Sequence, residues 1–413
     1  MADPEVVYDG ASPGFLAERA IMTSKERMAV AMRKGVPDRV PAMCQLSLGH
    51  YFLQAGLRPL DVWFTSAGFA EALLRLRERY GFDGLLANLP GRDPAWREDV
   101  ARIEATTEGE VVHWKDGART VVPPDDSCRH EPAPGRPGRP DFASFAPGDL
   151  ARVGDFPLYT WGVYHVPVLR GVRPGPLAEV PPWMLSTVDE ALRRAGADVS
   201  VHSEVFSPFT HFMELFGYEA GLMGLADDPA KGEAVLEGLT AAPVALALAY
   251  AAHGVDAILV SSAFAGAGFI SKRYDERFVL PFERRLVAAV HAARPGLPVY
   301  THTCGAIGDR LDLMEATGLD GIDTLDPPPL GTVELAEAKR RLGGRVFLKG
   351  NVDSVNTLLR ADDAACEASM RATLAAGKPG GAYVFSTACS VAPRVEPERL
   401  MRFRALAERE GLY

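Results

Sequence analysis

The stretch "GLPVYTHTCG" (296–305) begins as a short apolar run and ends in polar residues at a glycine. That is how a buried parallel strand reads when its carboxyl end opens onto a site. Seven further runs of the same kind occur: "RVPAMC" (39–44), "GLLAN" (84–88), "DVSVHSEV" (198–205), "DAILVSS" (256–262), "GIDTLD" (321–326), "RVFLKGN" (345–351) and "AYVFSTAC" (382–389). Longer helical patterns separate them, the alternation of βαβ units around a parallel sheet. Eight such units predict an α/β fold, a (β/α)8 TIM barrel. A doubly wound open sheet is the competing arrangement. It lacks support, because no G-x-G-x-x-G follows the first strand.

One region breaks the pattern after the second strand. Residues 103–123 alternate polar and apolar around "KDG" (115–117), which predicts a β-hairpin. Residues 123–149 are dense in Pro and Gly and predict a surface loop with no strand or helix through its middle. The expectation is therefore one barrel domain over 1–413 carrying an insertion at 103–149.

Composition narrows the function. The 413 residues are 47% hydrophobic and 24% charged, ordinary values for a globular protein. A formal net charge of −10 argues against nucleic acid and anionic membrane as partners. No apolar run approaches the ~20 residues needed to span a bilayer, and the first residues are acidic and polar. A cytoplasmic location is expected. Five scattered cysteines, an odd number, then suggest thiols or metal ligands rather than disulfides.

Catalytic groups of a barrel lie at the carboxyl ends of its strands. His302 and Cys304 end the fifth strand, two residues apart and so on one face. Cys389 ends the eighth. Two thiolates and an imidazole suit zinc, and three protein ligands leave a position open for chemistry. On spacing alone, Cys389 as a buried thiol and His302 as a core residue carry equal weight.

Further stretches decide between them. "GVPDRVP" (35–41), "SPFTHFMELFGYE" (207–219), "YTHTCG" (300–305), "LKGNVDSVNTLL" (348–359) and "GGAYVFSTACSVAP" (380–393) follow one another in this order. Together they resemble the uroporphyrinogen decarboxylase superfamily from about residue 24 onward, apart from the insertion. The decarboxylases themselves use no metal and carry an arginine-rich segment after the first strand. Here that segment is "PAMCQLSLGHYF" (41–52), without arginine, and "LLANLPGRD" (85–93) lacks the acidic residue expected at the end of the second strand. The other branch of the superfamily comprises zinc methyltransferases that work with corrinoid proteins. Its mark is H-x-C with a later Cys, which His302, Cys304 and Cys389 match.

The resemblance implies a zinc enzyme moving a methyl group between a small molecule and the cobalt of a corrinoid. The methyl donor favoured is a methyl ether, by O-demethylation. Delivery from a methyl-corrinoid to a thiol or tetrahydrofolate is an alternative; so are a decarboxylase-like lyase and a metal-free binding protein. No corrinoid-binding D-x-H-x-x-G occurs, so cobalamin is expected on a separate protein partner. A monomer or homodimer is expected.

Other residues are assigned around the metal. Glu204 is a candidate fourth ligand or proton donor, and His202, two residues deeper, a packed core residue. His50 is a candidate for positioning substrate. Asp326 is the carboxylate expected to orient His302. Asn351 and Asp353 are expected to cap the next helix, with Gly350 relaxing the turn. Phe264 and Phe269, flanking "AGAG", are a candidate apolar wall.

Overall fold

The computed structural model describes residues 21–135, 139–153 and 180–413. In chain order its strands are β1 (Gly84–Ala87), β2 (Val100–Thr106), β3 (Gly109–Trp114), β4 (Arg119–Val122), β5 (Arg129–Glu131), β6 (Ser200–Phe206), β7 (Ala257–Ser261), β8 (Val299–His302), β9 (Gly321–Asp323), β10 (Phe347–Val352) and β11 (Tyr383–Thr387). Seven of them form one parallel sheet in the order β1-β6-β7-β8-β9-β10-β11. Helices join successive strands, as parallel pairing requires.

The run at 39–46 fills the eighth place. Ala42 bridges Phe385 and Leu46 bridges Val391, both in parallel. On the other side, Asp83 N–H donates to Ala42 O at 2.8 Å. This stave is no regular strand, for a local reason. Pro41 has no N–H to give a ladder, and the Ala42 N–H goes to the Asp83 carboxylate at 2.8 Å. Followed from strand to strand, the pairings return to β1 displaced by about eight residues, the stagger of a closed (β/α)8 barrel.

Asp83 is fully buried and ties this seam together. It accepts from Arg27 Nη1 at 2.7 Å, Arg39 Nη1 at 2.9 Å and Arg39 Nη2 at 2.8 Å. Burial pushes its carboxyl up, but the Arg39 and Arg27 guanidinium groups outweigh that and hold it below the usual range.

Side chains alternate across each stave. Met43, Leu86, Ala257, Leu259, Tyr300, Phe347, Ala382 and Val384 form an inner cluster with Met28, Ala31 and Met32 of the helix Ser24–Met32. Their immediate neighbours (Ala42, Leu85, Ile258, Val299, Leu348, Phe385) belong to the larger core between sheet and helices. The next inward positions toward the carboxyl ends are therefore Gln45, Asn88, Ser261, His302, Lys349 and Ser386.

The insertion is richer than a hairpin and a loop. β2, β3, β4 and β5 make an antiparallel sheet in chain order. β3 and β4 turn at "KDG", where Gly117 has φ +91°. The loop expected at 123–149 instead contains β5, because the free edge of β4 pairs with it, His130 opposite Thr120. It also reaches a short 3-10 helix, Pro147–Arg152; residues 136–138 lie outside the described residues.

The span Pro229–His253 is apolar enough by composition to cross a membrane, against expectation, with a mean hydropathy of 1.6 over its best window. It is two helices, Pro229–Leu239 and Ala241–His253, meeting at Thr240. More than half of that window is buried within the protein.

Candidate metal centre

His302 is the last residue of β8, and Cys304 follows two positions on, before Gly305 at φ +79°. Cys389 lies two residues past β11. Although 85 positions apart in sequence, Cys304 Sγ and Cys389 Sγ are 3.8 Å apart. His302 Nε2 lies 3.3 Å from Cys304 Sγ and 3.9 Å from Cys389 Sγ. Among the described residues these three side chains form a group whose ligand atoms lie within 4.8 Å of one another.

That triangle can be tested against a metal. Tetrahedral zinc with Zn–S of about 2.3 Å and Zn–N of about 2.0–2.1 Å places two sulfurs about 3.8 Å apart and a sulfur and nitrogen about 3.6 Å apart. The three edges fit one face of such a tetrahedron. His302 is buried and both thiols are partly exposed, so the fourth vertex has a way in from outside.

Of the two thiols, Cys389 is the one the electrostatics favour as a thiolate. Cys389 is held well below the ordinary thiol range by its hydrogen bond with Cys304 and then by His302, against burial. Cys304 is pushed up by the same pairing and by burial. Burial pulls the His302 imidazole down, but Asp323 and Cys389 outweigh it and raise it to about 10.

Behind the imidazole, Thr324 Oγ1 lies 2.9 Å from His302 Nδ1, with Asp323 Oδ2 at 3.8 Å. Asp323 is itself occupied by Lys349 Nζ at 2.9 and 3.0 Å in a fully buried ion pair. The expectation that Asp326 orients His302 is corrected here. Asp326 Oδ2 accepts from Gly305 N–H at 2.6 Å and so holds the loop next to Cys304. The strand ends at Asp323, and Thr324 and Leu325 take φ of +75° and +56°. Strand alternation stops there, so Asp326 does not face the way its position in a longer strand implies. Burial first, opposed by that Gly305 bond, raises its carboxyl to about 6.

Glu204 lies on β6, buried, with Oε2 lacking a hydrogen-bond partner among the described residues. Burial raises it to about 7, although nearby His302 and a bond from Ser261 pull it down. It stands close enough to feel the charge of His302 and Cys389 but is not within the ligand group.

His50 is corrected as a substrate-positioning residue. It is fully buried in the helix Leu48–Gln54, with Nε2 2.8 Å from Tyr80 Oη and Nδ1 3.1 Å from Pro393 O. Burial lowers it to about 4, so it is a neutral structural group. His202 is a packed core residue between Tyr300 Oη at 2.8 Å and Ser200 Oγ at 3.0 Å.

Asn351 caps no helix: its Nδ2 donates to Leu325 O at 2.8 Å. Asp353 accepts from Val355 and Asn356 N–H in a turn, and the next helix, Asp363–Gly377, is capped by Asp362.

Phe264 and Phe269 pack edge to face with centroids 5.4 Å apart, and Tyr218 joins them at 4.9 and 6.2 Å. Phe269 is 45% exposed, so this wall is open to solvent on one side. Arg310, which the sequence reading passed over, clamps its loop. Its guanidinium donates to Ala265 O at 2.8 Å and Ile270 O at 3.1 Å. Ala267 N–H also reaches Ala306 O at 2.8 Å, tying the wall to the loop that carries Cys304.

Closed barrel and three-ligand cluster together define an α/β-barrel protein with a thiolate–imidazole site at its mouth. The family model described as uroporphyrinogen decarboxylase (URO-D) matches residues 169–409, more than half of the chain, and the chain belongs to that family. A uroporphyrinogen decarboxylase from Thioalkalivibrio sulfidiphilus is 32% identical over 178 residues, 43% of this chain and 48% of that protein. One from Saccharopolyspora erythraea is 33% identical over 189 residues, 45% of this chain and 50% of that protein. The matched segment thus spans about half the length of these curated relatives. Among solved structures, a methyltransferase from Methanosarcina mazei superposes with a TM-score of 0.65 at 19% identity, covering 94% of this chain and 98% of that one. That likeness is one of fold.

Proposed function

We propose that this protein is a zinc-dependent methyltransferase that moves a methyl group between a small molecule, with a methyl ether favoured, and the cobalt of a separate corrinoid protein. The observation that carries the reading is the triangle of His302 Nε2, Cys304 Sγ and Cys389 Sγ, with edges of 3.3, 3.8 and 3.9 Å. Those donors would hold zinc, which supplies a Lewis acid for an ether oxygen or for a thiol that must lose its proton.

The chain's own residues do the rest. Thr324 fixes the imidazole so that Nε2 faces the thiols. Asp326 fixes the Gly305 backbone. Glu204, raised to about 7 by burial, holds or releases a proton at the unpartnered Oε2 near working pH. The Phe264–Phe269 wall offers an apolar face.

A metal-free decarboxylation of an acidic tetrapyrrole is the competing reading, because the curated relatives are named for it. It calls for cations to pair with carboxylates. The buried Arg310, on the loop after β8, donates to the Ala265 and Ile270 carbonyls and pairs with the Asp309 and Asp275 carboxylates. Lys349 is consumed by Asp323.

The test incubates the protein with reduced corrinoid carrier and a panel of methyl donors, with and without a strong chelator, and separately with uroporphyrinogen. The expected result is chelator-sensitive methylation of cobalt and no loss of carboxylates from the tetrapyrrole. Chelator-resistant decarboxylation would overturn the proposal.

A further inference from the structure

Cys389 stands at the end of one stave, and the three staves that follow it around the barrel each place an unpartnered side-chain oxygen inside. Gln45 comes first: its carbonyl accepts from Val391 N–H at 2.8 Å, two residues past Cys389. Next is Asn88, directly after β1 and two positions along from the inward Leu86. Glu204 is third, and the pairing of Ala87 with Ser203 sets it beside Asn88. Asn88 and Glu204 are 9% and 5% exposed. Gln45 Oε1, Asn88 Oδ1 and Glu204 Oε2 are buried atoms with no hydrogen-bond partner among the described residues.

Buried polar atoms in native proteins are almost always paired. Three orphans on adjacent staves, at the level of the metal centre, indicate that something absent from the protein itself completes them. With Glu204 ionised, all three oxygens are acceptors and so call for donors. An anion would meet two amide oxygens and the Glu204 carboxylate. A hydroxyl brings one donor, together with lone pairs of its own. A primary ammonium brings three donors and no acceptor, and its charge suits a wall that contains Glu204.

We propose that Gln45, Asn88 and Glu204 form a seat for the primary ammonium group of the small molecule that enters this mouth. The seat places the charged end of that molecule against β1 and β6, leaving the rest to extend toward His302, Cys304 and Cys389. It deepens the small-molecule side of the proposed methyl transfer but does not require it, because ammonium binding can be measured without turnover.

The probes are ethanolammonium, ethylene glycol, choline and glycolate, titrated by calorimetry into the intact chain near neutral pH. They separate an ammonium with N–H donors from a hydroxyl alone, a cation without N–H donors, and an anion. Ethanolammonium is expected to bind best, with glycolate showing no heat. Asn88→Leu, Gln45→Leu and Glu204→Gln should each weaken it by about tenfold or more, while circular dichroism reports folding. With three variants, failure of one to fold leaves two that decide.

A Cys389→Ser protein distinguishes this seat from the metal. Binding that survives Cys389→Ser but not the seat variants supports the seat even where the methyl-transfer reading fails. Binding lost in Cys389→Ser and kept in all three seat variants would mean amine ligation to metal and would overturn it. So would equal binding of ethylene glycol, choline or glycolate, or no binding of ethanolammonium at tens of millimolar.

Discussion

Thr324 Oγ1 stands 2.9 Å from His302 Nδ1, nearer than the Asp323 carboxylate at 3.8 Å. In a metal-binding imidazole the proton sits on Nδ1, and here the threonine hydroxyl accepts it, freeing the Nε2 lone pair for the thiol side. The backbone at Thr324 is left-handed, φ +75°, a conformation costly for a β-branched residue. Thr324→Val keeps the shape and removes the acceptor. Zinc affinity, measured by chelator competition, is expected to fall ten- to a hundredfold, about the usual loss for such a partner. Thr324→Ser should keep most of it. Unchanged affinity in the valine variant would assign the orienting role to Asp323.

The metal ligands make a second prediction. Cys304→Ser and Cys389→Ser should each lose zinc, read by elemental analysis, with the circular dichroism spectrum unchanged, because both residues lie past their strands on the mouth loops. Cys44, Cys128 and Cys366 are buried apart from this cluster. Serine at any of those three should leave about one zinc per chain. Full zinc retention in Cys389→Ser would remove the three-ligand site.

The strands were legible because each is an apolar run bounded by polar or turn residues, and all eight runs became staves. The H-x-C spacing was legible as strand alternation, and Cys389 as the end of another strand. Asp326 misled because alternation was carried past Asp323, into Thr324 and Leu325, whose positive φ values rotate the chain. His50 misled because a residue six positions past Cys44 reads as a mouth loop, whereas it lies in a helix packed under Tyr80 and Pro393. Glu204 was legible singly, but its grouping with Gln45 and Asn88 was not, since that depends on the stagger that sets three distant segments at one height.

Asp83 gives a prediction about the barrel seam. Its carboxylate neutralises Arg27 and Arg39 and receives the Ala42 N–H in place of a ladder bond. Asp83→Asn would leave the buried Arg39 without its carboxylate partner and Arg27 with Asp38 alone. Loss of one member of a buried ion pair typically costs about 3–5 kcal/mol, so a clear drop in Tm and in the urea midpoint is expected. Zinc content of the folded fraction should not change, as Asp83 lies at the opposite end of β1 from the mouth. A Tm within a degree of the unaltered protein would show that the seam does not depend on this charge.

The last prediction concerns pH. Glu283, in the helix Leu280–Ala293, is 5% exposed, with Oε1 unpartnered among the described residues. Burial raises it to about 8, with a bond from Ser262 opposing and the nearby Asp275 adding to the rise. An unfolded glutamate titrates near 4.3. Between those values the folded protein holds a proton that the unfolded chain has released, so stability falls as pH rises. The slope for one such group is about 1.4 kcal/mol per pH unit. Glu283→Gln keeps the shape and cannot ionise. Its Tm should match the parent at pH near 3, where Glu283 is protonated in both states, and exceed it increasingly toward pH 8, where the difference in stability should be of order 1–3 kcal/mol once relaxation of the site is allowed for. Parallel Tm curves for the two proteins across that range would show that Glu283 ionises without cost where it stands.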